Sequence, residues 1–362
     1  MSKICFIGDL HIGCRNSNQH LQNLFENFYT KTFFPYLIGH NIKHVVQLGD
    51  LFDSRKVSNH NSLYEARRFF FSKFDAYDIQ LYTLLGNHDI AFKESLKVSS
   101  SDLFLSQFKN IKIISEPSTI NIKFPEHDLT IDTIPWICSE NYDNCLEYIE
   151  NSTADICVGH FEISGFKMYK GSISSDHGLS KELFSKYEMV LSGHYHHRSK
   201  KGNIEYIGTP YEMTWHDYDD TKGFYVYDSE SRVMEFIENP YTIFIKVDYD
   251  DSGLSVDEFT EKYLTEEFLW QFSVKYVKIE VIHKNNPYLF DMFIDQVNLQ
   301  NPISVSIVEE LLNIDVEDSV NETDDTLTIT YKYIDSVNAQ ELDKNKLKSI
   351  MSDLYNDAMA VE

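Results

Sequence analysis

Five short apolar runs in the first 200 residues end in glycine, and each glycine is followed at once by a residue able to hold a metal. They are KICFIGDLH from Lys3, HVVQLGD from His44, YTLLGNHD from Tyr82, DICVGH from Asp155 and MVLSGHYH from Met189. Together they supply Asp9, His11, Asp50, Asn87, His160, His194 and His196, a set of carboxylate, amide and imidazole donors without thiolate. Such a mixed hard and borderline set favours Mn²⁺, Fe²⁺, Mg²⁺ or Zn²⁺ over copper or an iron-sulfur cluster. Seven ligands exceed the needs of one ion. Two ions a few ångström apart, with Asp50 bridging, use the whole set and leave positions for water and a phosphate oxygen, which predicts phosphoester hydrolysis. A single Gly-Asp or Gly-His is an ordinary turn or cap, and Gly39-His40 and Gly202-Asn203 read that way. Five such motifs in this order, with DxH first and GHxH last, do not.

The elements that must position these side chains follow from the runs themselves. Each run is too short for a stable helix and rich in β-branched residues, so it reads as a buried strand with a ligand at its end. In a layered α/β sheet the C-terminal strand ends share an edge, where residues distant in sequence converge. The glycine allows the sharp turn beside the ligand. A chain of 362 residues is long enough for two domains with proper cores. No apolar stretch approaches the roughly 20 residues that span a bilayer, and the amino terminus enters a strand without a signal sequence. Cys5, Cys14, Cys138, Cys145 and Cys157 form an odd set without a C-x-x-C motif. Reduced thiols and a cytoplasmic location, the host cytoplasm if the chain is phage-encoded, are the expectation.

With GDLH at 8 to 11, GDLFD at 49 to 53, GNHD at 86 to 89, GH at 159 to 160, GHYH at 193 to 196 and YIGTP at 206 to 210, the chain resembles the calcineurin-like metallophosphoesterases. Within them it is most similar to the SbcD-type nuclease subunits of double-strand-break repair complexes, T-even-type bacteriophage members above all. The resemblance covers about 240 residues well and the remainder in outline. It implies a four-layer α-β-β-α sandwich with a small α/β capping domain and a C-terminal partner-binding helix. It further implies one ion held by Asp9, His11, Asp50 and His196, and another by Asp50, Asn87, His160 and His194. In the family the histidine at the position of His88 faces the scissile phosphate, where it protonates the leaving oxygen or stabilises charge. Asp53 matches the phosphatase pattern in which an aspartate orients that histidine and keeps it protonated. The alternative for Asp53 is a helix cap ahead of the segment from 54 to 77.

A net charge of −25 cuts against DNA binding, since phosphate contacts need surplus Lys and Arg. The excess is concentrated late: residues 241 to 362 carry 25 acidic and 9 basic side chains, against 32 and 23 in the first 240. Arg15, Arg55 and Arg198 follow ligand motifs closely, so the mouth of the site is a candidate substrate-binding patch. The expected divisions are a nuclease domain over 1–240, a capping, DNA-guiding domain over 241–314, an acidic linker region over 315–338 and an ATPase-binding helix over 339–362. The capping domain reads as strand, helix, strand, helix at 242–247, 255–263, 274–282 and 288–298. In the terminal helix Leu347, Ile350, Met351, Leu354, Tyr355 and Ala358 recur at threes and fours on one face. By the resemblance this stripe docks on the coiled coil of an SbcC-type ATPase. Phe69, Phe70 and Phe71 in succession are not expected to share one core. SbcD-type nucleases dimerise through helices in this part of the chain, which implies a homodimer.

The function this predicts is a Mn²⁺-dependent DNA exonuclease and endonuclease subunit acting in recombination and repair, with Mg²⁺ the second candidate ion. The runner-up is a phosphatase or small-molecule phosphodiesterase of the same fold. A different class is a non-catalytic adaptor, against which the intact ligand set argues.

Overall fold

The computed structural model describes residues 2–125, 127–170, 172, 177–309, 334, 344–348, 350 and 351. Each of the five apolar runs is a strand: Lys3–Ile7, His44–Gln47, Gln80–Leu84, Ile156–Gly159 and Met189–Ser192. They divide between two six-stranded sheets. The first three lie side by side and parallel in one sheet, continued by Ile111–Ile114 on one flank and by the antiparallel pair Gly223–Asp228 and Val233–Glu238 on the other. The last two are parallel neighbours in the second sheet, between Asp128–Ile134 and Ile204–Tyr206. The ligands therefore sit at the C-terminal edges of two facing sheets, where the sequence suggested a single edge.

Alternation along the strands builds the layers, because successive side chains point to opposite faces. Ile4 and Phe6 join Val46, Leu48, Ile156, Val158 and Leu191 in a core between the sheets. Cys5, Ile7 and Val45 face a second core against the helices that cover the first sheet. Cys157 and Val190 face a third, with Cys145 and Ile149 of helix Tyr142–Asn151. The order is helix, sheet, sheet, helix.

Two helical stretches in the outer layer, Gln19–Gly39 and His60–Ala76, each contain one widened π turn, at Tyr29–Phe33 and Arg67–Phe71. Phe69, Phe70 and Phe71 are all buried in the same core of one chain, which corrects the expectation that they could not share it. The helix is covered on two sides: Phe69 and Phe70 pack on Tyr29, while Phe71 packs on Phe52 and Phe108. Burial of these rings therefore gives no support to a homodimer. Helix His60–Ala66 is capped by Asn59, which accepts from the Asn61 and Ser62 N–H groups at 2.8 and 3.2 Å, so Asp53 is not its cap.

After Pro240 the chain forms a three-stranded parallel sheet of Phe244–Asp250, Tyr276–His283 and Ser304–Glu309. Helices Val256–Tyr263, Glu266–Trp270 and Pro287–Leu299 accompany it, with Tyr249, Phe259, Phe290 and Phe293 in their core. The third strand and the short middle helix were not foreseen; that strand is largely exposed and lacks the apolar alternation that would have marked it. The acidic linker over 315–338 lies outside the described residues apart from Ile334. Of the terminal stripe, Leu347, Ile350 and Met351 are helical, and Leu354, Tyr355 and Ala358 lie outside the described residues.

Candidate metal centre

Close backbone approach makes the centre possible. Gly49 adopts φ 93°, and a Cβ there would lie 2.5 Å from His160 Nδ1. A Cβ on Gly193 would lie 2.4 Å from both Asp9 Oδ1 and the Leu48 carbonyl. Three of the ligands also sit in the left-handed region, His11 at φ 42°, Asp50 at 52° and His194 at 83°. For a non-glycine residue that conformation costs on the order of 1–3 kcal/mol and persists only where the surroundings fix it.

Two groups of ligand atoms result. Asp9, His11 and His196 form one and Asp50, His160 and His194 the other, the donor atoms in each lying within 4.8 Å of one another. Asp50 Oδ2 lies between them, 3.7 Å from His11 Nε2 and 3.4 Å from His160 Nε2. Asn87 Oδ1 completes the second group at 3.0 Å from His160 Nε2 and 3.1 Å from His194 Nδ1. All seven expected ligands are thus brought together.

The donor chemistry fits cations. His160 Nδ1 faces the Leu48 carbonyl at 2.7 Å, and a carbonyl only accepts, so Nδ1 carries the hydrogen. A neutral His160 therefore turns the lone pair of Nε2 toward two further acceptors, Asn87 Oδ1 and Asp50 Oδ2. His11 Nε2 and His196 Nε2 face each other at 3.1 Å, a pair that either a shared N–H or an ion between them satisfies. Acceptors converging on acceptors need a proton or a metal ion among them.

In the metal-free protein protons take that place. Burial opposes charge on His11, but the Asp53 hydrogen bond and the Asp50 and Asp9 carboxylates push the ring up to about 9. For His160 burial is likewise outweighed by Asp50 and Asp9, to about 9. Burial would raise Asp50, yet His160 and His11 hold it far below the usual carboxylate range. Burial pushes Asp9 up to about 6, against the pull of His160. His194 is lowered to about 3 by burial and the neighbouring His160, and His196 to about 3 by burial and His11.

His88 stands beside the ligands. Its backbone N–H donates to Asp50 Oδ1 at 2.7 Å, and its ring centroid is 5.0 Å from that of His11. The expected Asp53 pairing is corrected: His88 Nδ1 donates to the Asp53 backbone carbonyl at 2.6 Å, whereas the Asp53 carboxylate lies 3.4 Å from His11 Nδ1. The turn of the GDLFD loop presents the carbonyl to one histidine and the side chain to the other. His88 Nε2 is thereby the ring nitrogen that Asp53 does not engage.

The three arginines separate. Arg55 lines a cavity beside the centre with Trp136, while Arg15 is exposed on a left-handed turn. Arg198 is a correction, because its guanidinium lies 3.6 Å over the Phe236 ring and reaches the Tyr225 hydroxyl at 3.4 Å, a packing role within the sheet layers.

The calcineurin-like phosphoesterase pattern matches residues 2–198, a span that takes in every ligand together with Asp53 and His88. The chain belongs to the calcineurin-like phosphoesterase family. Exonuclease subunit 1 of Enterobacteria phage T4 is 31% identical over 358 residues, covering 98% of this chain and 99% of that protein. A solved structure, titled as a novel archaeal phosphodiesterase, aligns with 66% of this chain and 99% of its own at 10% identity and a TM-score of 0.33, a likeness too slight to bear on the fold.

Several residues that hold this phosphoesterase centre escaped the sequence reading. The Asp89 carboxylate accepts from the Gly86, Leu51 and Phe52 N–H groups at 2.9, 3.2 and 3.0 Å, tying the GNHD loop to the GDLFD loop. Buried Lys222 donates to the His196 carbonyl at 2.9 Å and pairs with Asp217 at 2.8 Å and Asp220 at 3.0 Å. Tyr211, next to the YIGTP motif, donates to the Leu10 carbonyl at 2.6 Å. Asp89 alone had a usable signal, being the fourth residue of GNHD; the others are ordinary residues whose partners are set by tertiary contact.

Proposed function

We propose that this phosphoesterase is the nuclease subunit of an SbcCD-like recombination and repair complex, hydrolysing DNA phosphodiesters at a two-ion centre with Mn²⁺ the first candidate ion. The observation that carries the reading is Asp50, which lies between two ligand groups and also accepts the backbone N–H of His88. A match at 31% identity over nearly the whole of a protein named exonuclease subunit 1 supports DNA as substrate and a second subunit as partner. Asp9, His11, Asp50 and His196 would hold one ion, and Asp50, Asn87, His160 and His194 the other. When bound, such a pair supplies Lewis acidity and a nucleophile at neutral pH.

The chain's own residues do the rest. His88, fixed through Nδ1 and its backbone N–H, offers Nε2 to the leaving oxygen of the ester. The Leu48 carbonyl and the Asp53 carboxylate set the ring orientations of His160 and His11. Residues 1–240 would be the nuclease domain, 241–314 a capping domain beside it, and 339–362 the segment for an SbcC-type ATPase. A homodimer stands as part of this proposal on the family resemblance alone.

The test uses the purified chain with linear duplex DNA and, separately, an aryl phosphodiester, in Mn²⁺, Mg²⁺ or chelator, beside His88→Ala. Mn²⁺-dependent nucleotide release that falls about 10²–10⁴-fold in the variant is expected. Hydrolysis of the aryl ester with DNA untouched, even after addition of the ATPase, would favour the small-molecule phosphodiesterase.

A further inference from the structure

Next to the metal centre lies a cavity of about 700 Å³ whose lining includes Trp136 and Tyr142, the basic side chains Arg55 and Lys93, and the acidic side chains Glu94 and Asp143. A second, of about 300 Å³, shares Trp136 and Tyr142 and reaches His160. Trp136 is the wall common to the cavities and the centre, its ring centroid 5.1 Å from that of His194 and 5.9 Å from that of His160. The loop carrying it is fixed. The Trp136 N–H donates to the Leu85 carbonyl at 2.7 Å, and Asn141 Nδ2 donates to the Trp136 carbonyl at 3.0 Å. Tyr142 begins the following helix with 45% of its surface exposed. Glu94 is occupied by the Ser139 N–H at 3.0 Å, which moderates its opposition to an anion near Arg55 and Lys93.

We infer that this cavity is a subsite for one unpaired nucleotide, its base on Trp136 and Tyr142 and its backbone charge beside Arg55 and Lys93, with the phosphate to be cleaved at the metal centre. The inference rests on the hydrolase reading above and adds the form in which substrate enters. Aromatic rings beside cations are what a single strand uses, because every unpaired base offers a ring face for stacking. A base within a duplex has both faces covered and must leave the stack to present one. His160, Asp9 and Asp50 form the floor of the centre at 0%, 1% and 2% exposure, and half-buried Asn87, His88, His194 and His196 form its accessible face. The cavity volume falls within the roughly 300–1,000 Å³ of small-ligand pockets.

Thymidine 5′-p-nitrophenyl phosphate and methyl p-nitrophenyl phosphate share a leaving group and a reacting phosphodiester and differ in the nucleoside. With Mn²⁺, kcat/KM is expected to be at least about tenfold higher for the thymidine ester, on the order of one stacked base. Tyr142→Ala and Lys93→Ala, both at exposed positions, are expected to reduce that ratio by several fold or more. A wild-type ratio near one, or a ratio unmoved in both variants, overturns the subsite while leaving the hydrolase standing; hydrolysis of neither ester overturns both. Independently of turnover, thymidine 5′-monophosphate in Mg²⁺ is expected to quench the tryptophan fluorescence of the wild type and not of Trp136→Phe. Equal quenching in the two, or none in the wild type, overturns the subsite.

Discussion

Asp53 serves two histidines with two different atoms, its carbonyl holding His88 and its carboxylate facing His11. A carboxylate behind a metal-ligating histidine fixes the ring and strengthens it as a donor, and removing such a partner costs about 10–100-fold in affinity. Asp53→Asn keeps the carbonyl, so it is expected to weaken metal binding by that order, read by calorimetric titration, while His88 remains bonded. Turnover lost with metal affinity intact would return the carboxylate to His88. Protonation of the ligands gives a second expectation. His11 and His160 lie near 9 without metal and must be neutral to bind one, so ion entry at pH 7 releases up to two protons. Affinity is accordingly expected to fall as pH drops below about 9, with calorimetric heats that depend on buffer ionisation enthalpy. Heats independent of buffer would contradict this.

Strand ends and the loops after them hold the ligands, and one such loop depends on an ion network. Lys222 ties the backbone of His196 to Asp217 and Asp220 in a site almost closed to water. Lys222→Met leaves Asp217 buried and unpaired, a change that costs about 3–5 kcal/mol. A lowered Tm with loss of one ion is the expected outcome, measured by calorimetry and metal analysis; an unchanged Tm would count against the network. This network also marks where the sequence stopped being informative. The five strands were legible because β-branched runs ending in glycine and a polar donor recur five times in one order, and the seven candidate ligands that the fold brings together were read from them. Which atom of Asp53 meets which histidine was not legible, since it depends on a turn formed between two loops. Neither was the stacking of Arg198 on Phe236, a contact set by a distant strand. The burial of Phe69, Phe70 and Phe71 together required two covering surfaces that no periodicity reveals.

Across the whole molecule, the sheet after Pro240 is fastened to the segment that also supports the metal loop. Glu212 accepts from the Ile243 and Phe244 N–H groups at 2.6 and 3.0 Å, and Trp215 packs at a tilt against Phe244 and lies under Lys278, 4.4 Å from Nζ. Adjacent Tyr211 holds the Leu10 carbonyl, so a displacement of this sheet has a short path to Asp9 and His11. Deleting the residues after Asn338 is expected to abolish association with the ATPase, read by co-purification, and to spare metal-dependent hydrolysis of a small phosphodiester; association that survives would end that assignment. Among the described residues no helix is long and apolar enough to cross a membrane. The central claim, DNA hydrolysis at two ions that share Asp50, is tested most directly by following nucleotide release from linear duplex against bound Mn²⁺ per chain. Release that begins only as the second equivalent binds, and is absent in an Asp50→Asn protein holding at most one, is the outcome expected. Release at full rate with one ion per chain, or undiminished in Asp50→Asn, would contradict it.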